Sequence, residues 1–125
     1  MARLRADGWD AVGLELDPLL PQTATHVPIT TWREAKSYDV ISYVDCFEHT
    51  FVWEELPLAM SHLNPGGRII IEIPVAQEVP RHFRRLQHLF FFDEAHFAKM
   101  LQDSGAKIHS MITPVLGKRT AIIGR

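Results

Sequence analysis

An α/β fold, with a mostly parallel sheet and helices on both faces, is what this 125-residue sequence predicts. Three observations predict it. Short apolar runs rich in Val, Ile and Tyr read as buried strands, because β-branched and aromatic side chains suit a pleated, covered surface. Segments with apolar residues at helical spacing lie between those runs. The chain then closes on two strand-like runs separated by a short turn, which reads as an antiparallel hairpin. Helices alternating with buried strands give a parallel sheet, and the hairpin supplies its last edge.

Each element has its own local signature. "ARLRAD" reads as a short helical end, closed by Gly8 in the left-handed position after a helix. "DAVGLEL" is a short apolar strand over 11–16, with Asp17-Pro18 as turn residues. "THVPI" is a brief strand that Pro28 pushes towards an edge. "YDVISYV" reads as a strand buried on both faces. In "EELPLAMSHL", Leu56, Ala59, Met60 and Leu63 form one apolar helical face, and Pro57 belongs in the first turn. "NPGG" ends that helix and "RIIIEIP" is the next buried strand. Residues 75–92 are irregular, with Arg81, Arg84 and Arg85 near His82 and His88. Asp93 is the N-cap of "EAHFAKMLQDS", Gly105 closes it, and Phe97, Met100, Leu101 and Ser104 form its stripe. "KIHSMITPV" and "RTAIIGR" are the final strands, with "LGK" as the turn.

Composition narrows the class. Hydrophobic residues are 46% of the chain and charged ones 22%, which is ordinary for one globular domain spanning 1–125. The formal net charge of −2 gives no nucleic-acid or membrane-surface signal, so neither partner is expected. The single cysteine, Cys46, allows no internal disulfide and no cysteine-based zinc site, and fits a cytoplasmic setting. Seven histidines lack a tight i, i+4 pair, so no metal is expected.

Open α/β sheets bind ligands at the carboxyl ends of their strands. Those ends are Glu15 to Asp17, Ile29 to Trp32, Val44 to His49, and Pro74 onward. A carboxylate such as Glu15 can accept two hydrogen bonds from a ribose diol, or it can be a solvated strand-end charge. His49 is either a general base near neutrality or a member of a turn that caps the next segment; Glu48 is assigned the capping role. Phe90, Phe91 and Phe92 are assigned to the core.

Four stretches together resemble the class I S-adenosylmethionine-dependent methyltransferases, in the branch close to the ubiquinone-biosynthesis type. "LRADGWDAVGLELDP" is similar to the end of that family's first helix with its second strand. "YDVISYVDCFEHT" is similar to the fourth strand, where the family often writes Asp-Val-Leu-Glu-His. "LAMSHLNPGGRIIIEIP" is similar to the helix, Pro-Gly-Gly turn and fifth strand. "HLFFFDEAHFAKMLQDSGAKI" is similar to the late helix. The resemblance implies a Rossmann-like methyltransferase sheet with a C-terminal antiparallel hairpin. It implies S-adenosylmethionine as cofactor and a small-molecule or glycan-type methyl acceptor. Residue by residue, it places Glu15 on the ribose, Leu16 beside the adenine, Thr30, Thr31 and Trp32 near the adenine amine, and Val44 and Asp45 along the methionine part. The family's acid at the end of the third strand does not occur at 30–32.

The family's first strand and Gly-x-Gly-x-Gly loop have no counterpart here, since the seven glycines at 8, 13, 66, 67, 105, 117 and 124 form no such loop. The resemblance therefore implies an N-terminally truncated domain, with cofactor binding weakened or lost. A fragment of a longer enzyme is the preferred reading, because everything downstream is intact. The others are a degenerate homologue whose second strand pairs directly with the fourth, in the order 3-2-4-5-7-6, and a strand supplied by another copy as a strand-mediated homodimer. A non-catalytic methyltransferase-fold protein acting through partner binding is the rival function.

Overall fold

A computed structural model describes residues 2–14, 29–30, 36–75, 89–90, 92–113 and 118–125. They fall into two compact units, Met1–Lys36 and Ser37–Arg125.

In the first unit, helix α1 covers Ala2–Ala6. Gly8 has φ 91°, the left-handed closure that the sequence predicts, and the Asp7 amide reaches back to the Arg3 carbonyl at 2.9 Å. The Arg5 guanidinium donates to the Ala11 carbonyl at 2.8 Å, tying the helix to the stretch before strand β1, Gly13–Leu14. β1 pairs in parallel with β2, Ile29–Thr30, matching Gly13 to Ile29 and Leu14 to Thr30. Gly13–Leu14 falls within the first expected strand and Ile29 within the second; the rest of "THVPI", and Glu15 and Leu16, lie outside the described residues.

The second unit holds β3, Tyr38–Val44; helix α2, Val52–Ser61; β4, Leu63–Pro74; helix α3, Glu94–Asp103; β5, Lys107–Ile112; and β6, Lys118–Gly124. The sheet order is β3-β4-β6-β5. β3 and β4 are parallel, while β6 is antiparallel to both β4 and β5. The closing hairpin thus inserts its second strand beside β4, as expected for the family order 4-5-7-6. β1 and β2 form a two-stranded sheet of their own in the first unit. Among the described residues, the parallel ladders β1–β2 and β3–β4 are joined by the antiparallel ones of the closing hairpin, the mixed arrangement that a C-terminal hairpin brings to the sheet.

The core lies on one face of the four-stranded sheet. Ile69, Ile71 and Ile73 of β4 are fully buried, and Ala121 and Ile123 of β6 stand beside them in register. Full burial of each isoleucine is worth about 1.5–3 kcal/mol over exposure. Leu56 and Ala59 from α2, and Phe97, Met100 and Leu101 from α3, cover that face. Both helices are on this same side: Glu55 of α2 bonds to Tyr43, and Glu94 of α3 pairs with Arg119. Phe92 is buried between Phe90 and Phe97, with ring centroids 6.1 and 5.7 Å away, so the aromatic run is core at that position; Phe91 lies outside the described residues.

Three expectations are corrected here. Among the described residues β3 is covered on one face: Tyr43 is buried, while Val40 and Val44 are 42% and 58% exposed. The described helices of this unit, α2 and α3, both lie on the Tyr43 side. Pro57 sits in the second turn of α2, because the helix starts at Val52 rather than Glu54. The Trp53 carbonyl therefore has no i+4 amide to accept from. Leu63 is buried, but as the first residue of β4 rather than the end of the helical face.

The "PGG" turn has a specific cause. A Cβ on Gly67 would meet the carbonyl oxygens of Asn64, Asp39 and Tyr38 at 3.0–3.1 Å, tighter than most side chains come, so that backbone would have to give by a few tenths of an ångström. Glycine lets β4 lie against the start of β3 without that adjustment. The α3 termini are as the sequence predicts: Asp93 accepts from the His96 amide at 2.8 Å, and Gly105 takes φ 76° after the last turn.

Candidate functional site

β3 and β4 run in parallel, so their carboxyl ends lie side by side, with Val44 opposite Glu72. β6 runs the other way, and its first residue, Lys118, arrives at the same end, opposite Pro74. This is the end where open α/β sheets take ligands.

Asp45 stands directly after β3 with φ 51°, and among the described residues no other non-glycine has a positive φ. Aspartate tolerates this region better than most residues, though it is still disfavoured for an L-amino acid. Two contacts hold it there. Its amide donates to the Glu72 carbonyl at 3.1 Å, and its carboxylate accepts from the Lys118 ammonium. Lys118 also donates to Glu72 Oε1 at 2.9 Å, and the Thr120 hydroxyl donates to Glu72 Oε2 at 3.3 Å. The hydrogen bonds to Asp45 and then Glu72 hold the Lys118 pKa above its ordinary value. Two carboxylates and one ammonium leave one net negative charge at the end of the sheet.

A 3-10 turn, Phe47–His49, comes next. Phe47 is fully buried and meets Tyr43 edge to face at 5.2 Å. Glu48 is 2% exposed, and its carbonyl accepts from the Leu89 and Phe90 amides at 3.0 and 3.2 Å. Its backbone thus anchors the segment at 89–90, in keeping with the structural role assigned to it. His49 is half-buried, with Nε2 3.8 Å from Glu48 Oε1. The imidazole therefore stands beside a buried carboxylate while part of its surface stays exposed.

Behind the turn, the Tyr43 hydroxyl donates to Glu55 Oε1 at 2.8 Å, with both residues buried. Burial, then the Glu55 charge and hydrogen bond, push the tyrosine pKa far above its ordinary value. Cys46 meets solvent in part, yet desolvation raises its thiol pKa, and the carboxylates of Glu48, Glu55 and Asp45 add to the rise. Such a thiol stays protonated and is a poor nucleophile.

Of the residues that the sequence singles out, Val44, Asp45 and His49 are thus brought to one sheet end. Glu15, Leu16, Thr31 and Trp32 lie outside the described residues, as do Arg81, His82, Arg84, Arg85 and His88; of Thr30 only the strand position is given. Sequence reasoning missed Glu72, Lys118, Tyr43 and Glu55. Glu72 had a signal, since it interrupts the apolar run "RIIIEIP" near its end, as Glu15 interrupts "VGLEL". Lys118 had one only through the hairpin: the first residue of the last strand must land beside the end of the strand it pairs with.

A family model described as "Methyltransferase domain" matches residues 1–111. The chain belongs to this methyltransferase-domain family, and its fold is the Rossmann-like one expected of class I members. Among solved structures, one titled "A Pericyclic Reaction enzyme" superposes with a TM-score of 0.70 at 11% identity, covering 98% of this chain and 39% of the other. The mitomycin 7-O-methyltransferase MmcR gives 0.68 at 18%, covering 98% and 44%. A TehB-like SAM-dependent methyltransferase from Corynebacterium glutamicum gives 0.70 at 13%, covering 99% and 72%. At these identities the likeness is one of fold. The chain spans 39% of the length of the first of these structures and 44% of the second. No curated protein sequence matches the chain.

Proposed function

We infer that this domain serves S-adenosylmethionine-dependent methyl transfer to a small-molecule or glycan-type acceptor, within the branch close to the ubiquinone-biosynthesis enzymes. The observation that carries the reading is the methyltransferase-domain match over residues 1–111. The donor set at the end of β3 and β4 fits it. S-adenosylmethionine is cationic at its sulfonium and ammonium, and Asp45, Glu72 and Lys118 together leave one negative charge where the methionine part is expected.

The cofactor, when bound, supplies an electrophilic methyl group on its sulfonium. The chain's own residues do the rest. Glu15 accepts from the ribose hydroxyls, and Leu16, Thr31 and Trp32 flank the adenine. Val44 and Asp45 border the methionine part. Holding the acceptor in line with the methyl is the main source of rate in such a transfer. His49 takes a proton only where the acceptor must lose one. On this reading the cradle for the methionine carboxylate needs the glycine-rich loop that the family resemblance implies, which these 125 residues do not contain.

Titration of the chain with S-adenosylhomocysteine, monitored through amide resonances, tests this. Without the loop, the loss of several charged hydrogen bonds of about 1.5–3 kcal/mol each leaves binding on the order of millimolar. Glu15→Gln weakens it further, because the amide keeps one acceptor but loses the charge-assisted pair. No resonance shift at several-millimolar ligand means that binding is lost rather than weakened, and the cofactor reading is then decided in a chain that carries the glycine-rich loop, where absence of binding sinks it. Micromolar affinity sinks the claim that an external loop is needed.

A further inference from the structure

We propose that Lys118 is a positioning residue: its ammonium clamps Asp45 to Glu72 and so fixes the carboxyl end of β3 for the cofactor. The inference rests on the cofactor reading above for the identity of the ligand, but the clamp is a property of the chain itself.

The observations converge on one joint. Asp45 is the residue at which β3 stops, and it stops in a left-handed conformation. Left to itself, a non-glycine residue leaves that region readily, because extended and right-handed conformations are lower in energy. The Asp45 amide bond to the Glu72 carbonyl ties the backbone of β3 to β4. Lys118 adds the side-chain tie, donating to the Asp45 and Glu72 carboxylates at once. Thr120, two residues along β6, holds the other Glu72 oxygen. One lysine from the last strand therefore links the ends of the two parallel strands, 73 and 46 residues away in the chain.

The clamp bears on the site through the turn at Cys46 to His49. This turn leads away from the strand, and its direction is set by the Asp45 dihedral angles. If Asp45 relaxes to an extended conformation, the backbone at Val44–Cys46 rotates. The polar groups that border the methionine part then no longer face one way. Lys118 contacts the acid that borders the ligand, not the expected reacting atoms, which makes it a positioning rather than a catalytic residue.

The test compares the unaltered chain with Lys118→Met and Lys118→Arg, in the absence and presence of S-adenosylhomocysteine. Amide exchange of Asp45 is read against that of Ile41 and Tyr43 in the same strand. Lys118→Met is expected to speed exchange at Asp45 roughly tenfold while leaving Ile41 and Tyr43 unchanged, and Lys118→Arg to restore it. Unchanged exchange at Asp45, or equal acceleration along all of β3, overturns the proposal, the latter by showing only a loss of global stability. With ligand, Lys118→Met is expected to raise the dissociation constant roughly fivefold, and to have no such effect in an Asp45→Asn background. Additive effects of the two substitutions overturn the claim that Lys118 acts through Asp45. If the unaltered chain shows no ligand shift at all, binding is lost without the glycine-rich loop, and the exchange comparison alone decides the clamp.

Discussion

Tyr43 and Asp45 stand two residues apart on one strand, and their partnerships with charged groups are opposites. Tyr43 points into the core, where its hydroxyl meets Glu55 with both residues buried. Asp45 ends the strand, and its carboxylate meets Lys118 with side chains 45% and 30% exposed. In the dry pair, breaking the bond means leaving a polar atom without water. In the wet cluster, water and salt replace whatever is removed. The first arrangement holds the fold, and the second can be altered or engaged by a ligand without unfolding it. A strand that carries both keeps a rigid stem and an adaptable tip.

The largest expected effect comes from breaking the dry pair. Tyr43→Phe keeps the ring against Phe47 but removes the hydroxyl that donates to the buried Glu55 carboxylate. The expected loss is about 1.5–3 kcal/mol, the range for a hydrogen bond to a charged group. Chemical denaturation measures it, and a loss no larger than that of an exposed substitution would put the pair on a level with the Lys118 cluster. The pair also has an alkaline signature. The folded-state pKa of Tyr43 is raised by burial and by Glu55. The stability tied to its protonated form is therefore complete below the unfolded value, about 10, and is lost as pH rises above it. Tyr43→Phe removes that part of the alkaline decline. Phenolate absorbance of the native chain is expected to be the same in both proteins until they unfold.

The wet cluster should respond mainly to salt. Lys118→Met is expected to lower the melting temperature by less than Tyr43→Phe does, and the difference from the unaltered chain should shrink as salt is raised, since exposed pairs are screened. Lys118 has a raised pKa, first through Asp45 and then Glu72, so its contribution is present below the unfolded lysine pKa and fades as pH climbs through the folded value. Thermal melts at low and high salt check this. A salt-independent loss as large as that of Tyr43→Phe would mean that the two regions do not differ in kind.

The same division explains what the sequence revealed. The ends of α3 were legible because they obey local rules: an aspartate that accepts from the third amide, and a glycine that takes a positive φ. The strands were legible as apolar runs, and the hairpin by its short turn. The start of α2 was not, because Phe51 occupies the N-cap and makes no side-chain hydrogen bond there. The burial of β3 was overstated, since "YDVISYV" is apolar whether or not both faces are covered, and among the described residues Val40 and Val44 are exposed while α2 and α3 lie on the Tyr43 side. Asp45 was legible as a strand end, but its partners were not. Lys118 and Glu72 reach it through register between segments far apart in the chain, and no local spacing encodes that.

The smallest expected effect is at Asp45 itself, and it sharpens the comparison most. Asp45→Gly does two things at once. It removes the carboxylate that Lys118 holds, which costs little because the pair is exposed and Lys118 keeps its bond to Glu72. It also removes the side-chain penalty at φ 51°, because glycine enters the left-handed region freely. The more flexible unfolded chain works against that gain. These contributions have opposite signs and similar size, so the net change in stability is expected to stay within about 0.5 kcal/mol, the usual range for an exposed substitution. Stability and order should therefore separate: the melting temperature holds while amide exchange at residue 45 accelerates, as the clamp requires. A clear destabilisation, approaching that of Tyr43→Phe, would show that the tip of β3 is as firmly part of the fold as its buried stem.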